Sequence, residues 1–216
     1  MLWYPMVGLL IGLMLMLMAW MLKAADSLVV SALLITAWVG MTGALHLDGL
    51  ADSADAWLGS HGDKDRALEI MKDPACGPAG VVLIVLVLLL KFVTVLTLVE
   101  SADYLVLLVV PMLARTMLPA LFFTTKYVRK GGMALVMAEE LVVQPVVLIL
   151  IAVAVVVVAL IGSQGVWLLA AAMLVGWWLR RLMIKHLGGT TGDTAGALVE
   201  ITEMLVLLVA ALLIRQ

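Results

Sequence analysis

Cysteine occurs once in 216 residues, at Cys76, which excludes an internal disulfide and any paired-cysteine metal or redox motif. Charge is almost as scarce. Only 13% of residues are Asp, Glu, Lys or Arg, where a soluble domain carries about a quarter. No basic arm or patch with interleaved aromatics is present, and the net charge is −2, so a nucleic-acid partner is excluded. The apolar runs do not alternate with period two, which rules out a membrane β-barrel. The chain opens Met1-Leu2-Trp3-Tyr4-Pro5 and stays apolar to Leu22 with no small-residue cleavage site. Its first hydrophobic stretch therefore reads as a retained span rather than a removable leader.

What is abundant is hydrocarbon: 65% of residues are hydrophobic. The expected fold class is all-α, a polytopic integral membrane helical bundle of about seven transmembrane helices, forming a single catalytic domain over 1–216. Stretches near the roughly 20 apolar residues that cross a bilayer are Tyr4–Leu22, Leu28–Leu47, Gly80–Val99, Tyr104–Phe123, Leu141–Ile161, Val166–Met183 and Ala195–Ile214. No internal repeat or linker is visible. Seven spans divide the loops into two sets. One set holds Lys64, Arg66, Lys72, Lys126, Arg129, Lys130, Arg180, Arg181 and Lys185, and the other only Lys23 and Arg215. The positive-inside rule places the first set in the cytoplasm, so the expectation is a multi-pass protein of the cell inner membrane.

Seven acids, Asp48, Asp52, Asp55, Asp63, Asp65, Glu69 and Asp73, crowd into the loop after the second span. Asp48, Asp52 and Asp55 are related by i, i+4 and i+7, so on a helix they share one face. Two carboxylates about 6 Å apart repel by roughly 3 kcal/mol at an effective dielectric near 20. Beside a membrane, three together call for a cation or shared protons. Bound Mg²⁺ is the economical answer, and Mg²⁺ held by carboxylates points to a phosphate-bearing substrate. Asp73 is a candidate fourth ligand. His46, just before the triad, is a candidate base or a residue that merely satisfies a backbone group. Asp63, Lys64 and Asp65 read as a solvated loop.

A second motif is Gly188-Gly189-Thr190-Thr191-Gly192-Asp193-Thr194, leading into the last span. Consecutive glycines and a helix N-terminus suit an anion, and Asp193 in their midst implies a metal between it and a phosphate. The alternative is an ordinary turn with Asp193 or Thr194 as helix cap. Lys91, Arg115, Glu200 and Glu203 lie within apolar spans, where ions tend to face the bundle interior. Glu200 and Glu203 fit either a metal shell or pairing with Arg115, Arg180 or Arg181. Lys91 reads as a snorkelling or paired lysine. Arg115 and the run Lys126-Tyr127-Val128-Arg129-Lys130-Gly131-Gly132 offer guanidinium groups for phosphate.

These motifs together resemble the cobalamin synthase family, the adenosylcobinamide-GDP ribazoletransferases. The resemblance rests on His46-Leu47-Asp48-Gly49-Leu50-Ala51-Asp52-Ser53-Ala54-Asp55, Asp65-Arg66, Leu68 to Asp73, Gly77 and Gly80. It continues through Tyr127-Val128-Arg129, Gly132, Gly188 to Ala197, Glu200 and Glu203. Order and spacing match over nearly the whole chain. Pro74 and Cys76 depart from the family's usual residues. Members also commonly carry a further N-terminal stretch before the equivalent of Tyr4.

The resemblance implies joining of adenosylcobinamide-GDP to α-ribazole or its 5′-phosphate, with GMP released and Mg²⁺ as cofactor. By that reading Asp48, Asp52, Asp55 and Asp73, with Glu200 and Glu203, are candidate metal ligands. Arg115, Arg129, Arg181, Gly188, Gly189, Thr191, Gly192 and Asp193 are candidate phosphate or substrate contacts, and an Asp or His46 takes the hydroxyl proton. The stripes of small residues fit a homo-oligomer as well as packing within one bundle. A CDP-alcohol phosphotransferase is the nearest rival, but its Arg soon after the Asp-Gly pair is missing. An ion or metabolite transporter would show two related halves and broken midplane helices.

Overall fold

The computed structural model describes residues 2–129 and 143–214. Lys130, Gly131, Gly132, Leu141 and Arg215, named above, lie outside the described residues. The elements in chain order are α1 (Tyr4–Met21), α2 (Ser27–Thr42), α3 (Leu45–Gly59), α4 (Lys64–Ile70), α5 (Pro78–Glu100) and α6 (Tyr104–Thr124). They are followed by α7 (Val143–Ile161), α8 (Gln164–Leu187) and α9 (Gly192–Ile214). Among the described residues the fold is all-helical, with six helices long and apolar enough to cross a membrane and a seventh crossing if α2 and α3 are counted together.

The second span departs from the sequence expectation. The apolar run suggests one helix to Leu47, but α2 stops at Thr42 and α3 leaves at 85°. Gly43 and Ala44 make the corner, both in the left-handed region at φ 59° and 58°. Glycine adopts that conformation freely, whereas for alanine it costs roughly 1–2 kcal/mol. The corner turns α3, with its three aspartates, away from the axis of α2. Leu47 and Leu50 of α3 pack with Val87 of α5 and Met204 of α9, whereas Asp55 reaches the first turn of α5 at Gly77 and Gly80, so α3 runs to the edge of the spanning bundle and α4 lies beyond it. Asp26 caps α2 through the amides of Leu28 and Val29, and Asp63 caps α4 through those of Asp65 and Arg66. Asp63 thus has a structural task, while Arg66 and Glu69 form an exposed i, i+3 pair at 3.2 Å.

Helices α6 and α9 are largely covered by their neighbours, while α1, α5, α7 and α8 turn Leu, Val, Met and Trp side chains outward, as a lipid-facing ring does. Gly8 and Gly12 of α1 lie directly against the backbone of α6 at Pro111 and Leu108. Small residues at such a crossing let backbones approach where hydrocarbon solvent gives no hydrophobic drive. The main core runs through Leu15, Leu34, Leu98, Leu107, Leu168 and Leu207.

Candidate active site

Helix α3 crosses the start of α9 with almost no space between the backbones. A Cβ on Gly49 would stand 2.6 Å from the Asp193 carbonyl oxygen, and one on Gly196 would stand 3.2 Å from the Cα of His46. Gly49 and Gly196 are therefore what let Asp193 come up beside the acidic face of α3. The result is a cluster of Asp48, Asp52 and Asp193 opposed by Arg129, whose Nη1 donates to Asp193 at 2.8 Å. Burial, then the charges of Asp48 and Asp193, push the Asp52 carboxyl up to about 6, against a smaller opposing effect of Arg129. The cluster holds more negative than positive charge.

Asp55 shares the face but has another task. Its two carboxylate oxygens accept from the amides of Gly77 at 2.7 Å and Gly80 at 3.0 Å, holding the N-terminus of α5. Side chains at positions 77 and 80 would collide with that carboxylate. Asp73 is exposed and accepts from Ala75 N at 3.0 Å in a local turn, with no recorded contact to the cluster.

Four intramembrane charges form a closed set. Lys91 Nζ lies 2.6 Å from Glu200 and 2.5 Å from Glu203, and Arg115 Nη1 lies 2.6 Å from Glu203. All four are buried, with Arg115 1% and Glu203 0% exposed. The ring of Trp38 lies 5.0 Å from Lys91 Nζ. Glu200 and Glu203 are thus matched by two cations and are not gathered with the aspartates. Arg115 is spent on Glu203 and on the Pro111 carbonyl at 3.2 Å. The Arg115 pairing is one of the sequence alternatives and Lys91 is the paired lysine expected there, although the sequence does not name Glu200 and Glu203 as its partners. His46 is half-buried with Nδ1 unpartnered, and the charges that act on it are those of Arg115, Glu203 and Lys91 in this quartet rather than the aspartates.

The glycine-rich motif is a turn built for packing. Gly188 ends α8 at φ 77°, and Gly189 lies hard against the Lys126 carbonyl and Val128. Val128 N donates to Thr190 O at 3.0 Å and Thr190 N to Lys126 O at 2.9 Å, so this turn is stitched to the chain that delivers Arg129. Thr191 Oγ1 accepts from Thr194 N at 3.2 Å, and Thr194 Oγ1 accepts from Thr191 N at 2.9 Å. That reciprocal pair is a capping box, which makes Thr191, not Asp193 or Thr194, the cap of α9 and leaves Asp193 in its first turn. Gly192 has open space around it. Arg181 lies over Trp177 at 4.4 Å, and Arg180 binds the Thr124 carbonyl at 2.7 Å.

Among the described residues no three His, Cys, Asp or Glu side chains form a ready metal cage. The donors that could hold a cation are the oxygens of Asp48, Asp52 and Asp193. An all-oxygen set suits Mg²⁺, which commonly takes one or two carboxylates and completes its shell with waters and phosphates.

Over residues 1–211 the sequence matches the family model described as cobalamin-5-phosphate synthase. Proteins named adenosylcobinamide-GDP ribazoletransferase are similar over nearly the whole of this chain. That of Pseudomonas entomophila strain L48 is 50% identical over 213 residues, covering 99% of this chain and 87% of the relative. That of Pseudomonas putida strain W619 is 50% identical over 209 residues, covering 97% and 86%. A third, from Pseudomonas fluorescens strain Pf0-1, is 50% identical over 211 residues, covering 98% and 87%. No solved structure matches the chain. With the model spanning almost every residue and half of the positions shared with these relatives, the chain belongs to the cobalamin-5-phosphate synthase family.

Proposed function

We propose that this protein joins adenosylcobinamide-GDP to α-ribazole or α-ribazole 5′-phosphate and releases GMP. A ribose hydroxyl attacks the phosphorus attached to cobinamide, the new P–O bond forms, and the bond to the GMP oxygen breaks. The hydroxyl proton passes to a carboxylate of the α3–α9 cluster. One observation supports this above the rest: Asp48, Asp52, Asp193 and Arg129 meet at one helix crossing, in a chain half identical to proteins bearing that enzyme name. An anionic diphosphate approaches such a cluster only with a cation present. Mg²⁺ held by Asp48, Asp52 and Asp193 would supply charge neutralisation and a fixed position for the diphosphate. Arg129, already oriented by Asp193, is placed to reach a phosphate oxygen. The reaction needs little more than positioning and charge.

We take the cluster to face the cytoplasm, because the loops on its side contain most of the cationic residues. The test uses the purified protein in lipid nanodiscs. GMP release is expected to require both adenosylcobinamide-GDP and ribazole, and to stop when Mg²⁺ is chelated. Asp52→Asn is expected to lower turnover by roughly 10²-fold or more. GMP release without ribazole, or near-normal turnover by Asp52→Asn, would overturn the assignment.

A further inference from the structure

We propose that the apolar cleft between α3 and α5 seats the corrin macrocycle of adenosylcobinamide-GDP. The proposal rests on the transferase reading above and adds to it the place of the substrate's bulkiest part. The cleft measures about 940 Å³, and its walls include Trp57 and Leu58 of α3, Ile70 at the end of α4, and Val82, Leu83 and Leu86 of α5. Its one ionisable lining group is Asp55. That carboxylate lies on the same helix face as Asp48 and Asp52 and is fixed by the amides of Gly77 and Gly80. Asp55 lines the cleft and its charge is felt at Asp52, three residues earlier on α3, so the cleft begins about one helical turn from the acid cluster and lies within reach of the linker of a ligand whose diphosphate meets the acids.

Size and polarity select the macrocycle among the substrate's parts. A volume near 940 Å³ stands at the upper end of small-molecule sites, which run from about 300 to 1,000 Å³. A nucleobase or the benzimidazole of ribazole would fill only a fraction of it. A guanine edge buried against such walls would also leave its hydrogen-bonding groups unmatched. With the adenosyl group on one face of the cobalt, the opposite face of the corrin presents ring carbons and methyl groups, and its carboxamides extend past the edge of the ring. Against this wall the face is covered, while the open mouth leaves the rim in water. Trp57 is held for such a contact, its ring stacked on His186 at 5.6 Å.

The cleft also opens sideways. Val82 and Leu86 are 58% and 51% exposed, and they lie about 6 and 12 Å along α5 from its first residue. That span corresponds to the outer part of one leaflet. The macrocycle thus enters along the membrane surface, and its tethered diphosphate swings onto α3.

Filling the cleft tests this. Val82→Trp and Leu86→Trp alter outward-facing residues that the core does not need. Val93→Trp, on the same helix and equally exposed, serves as control because it does not line the cleft. In nanodiscs, adenosylcobinamide lacking the nucleotide is expected to bind the parent protein and Val93→Trp alike. Its affinity is expected to fall about tenfold or more in the two cleft variants. In turnover, KM for adenosylcobinamide-GDP should rise by a similar factor with KM for ribazole unchanged, and inhibition by GDP alone should not move. Unaltered adenosylcobinamide affinity in both cleft variants, or no binding to the parent, would overturn the proposal and leave the cleft to lipid acyl chains. Adenosylcobinamide binding without any GMP release would instead overturn the transferase reading while sustaining the cleft.

Discussion

Asp52 is the residue where burial and two neighbouring carboxylates act in the same direction, with its carboxyl pushed up to about 6. Because the folded value lies above the ordinary carboxylate range, the fold favours the protonated form. That contribution to stability is present at low pH and is lost as pH rises through about 6. A cation needs the ionised form, so its binding must expel the proton. Replacing Asp52 by Asn is accordingly expected to raise the melting temperature of the metal-free protein more at pH 7 than at pH 5. Added Mg²⁺ should raise the melting temperature at pH 7 and have little effect at pH 5. Thermal melts of the parent and Asp52→Asn in detergent, with and without Mg²⁺ at the two pH values, check both signs. The spacing of Asp48, Asp52 and Asp55 made a shared face legible in the sequence, because helical periodicity is local. It could not show that Asp55 is diverted to Gly77 and Gly80, nor that Asp193 replaces it in the cluster. Those outcomes depend on Gly49 meeting the backbone of a helix far along the chain.

Between elements, the buried quartet joins α5, α6 and α9 just beyond the acid cluster. Two cations and two anions balance, and each charge removed leaves another uncompensated where water cannot reach. Lys91→Met would leave Glu200 without its recorded partner and Glu203 with Arg115 alone. A loss of about 3–5 kcal/mol is expected. The double variant Lys91→Met with Glu200→Gln removes one charge of each sign and keeps the Arg115–Glu203 pair. It should recover a large part of that stability, measured by unfolding in denaturant with detergent present. If the double variant is as unstable as the single one, the charges are not coupled as the geometry implies. These residues were conspicuous in the sequence as ions inside apolar spans. Their partners were not, because helix-to-helix rotation decides which of several candidate cations meets which acid. The corner between α2 and α3 was hidden for a related reason: the apolar run continues through Gly43 and Ala44 without a polar break, and only the backbone angles reveal the turn.

For the whole molecule, the proposed cytoplasmic orientation of the acid cluster is one that the single cysteine can report. Cys76 is exposed in the connection between α4 and α5, on the side that also holds Lys64, Lys126 and Arg129. Lys23 lies beyond the other end of α1, in the connection to α2. On the proposed orientation Cys76 lies in the cytoplasm and the α1–α2 connection outside it. A membrane-impermeant maleimide should therefore label Cys76 in inverted vesicles and leave it unlabelled in intact spheroplasts. A Cys76→Ser protein with Ala25→Cys, whose native Ala25 is exposed in the α1–α2 connection, should give the reverse pattern. Labelling of Cys76 from outside intact cells would turn the acid cluster away from the cytoplasm. It would then be cut off from cytosolic Mg²⁺ and nucleotide, and a transferase that releases GMP would need its substrates delivered from the opposite face. The paired cysteines thus bear on the chemistry as directly as on the topology, since one helix corner sets both where α3 lies and which compartment its aspartates meet.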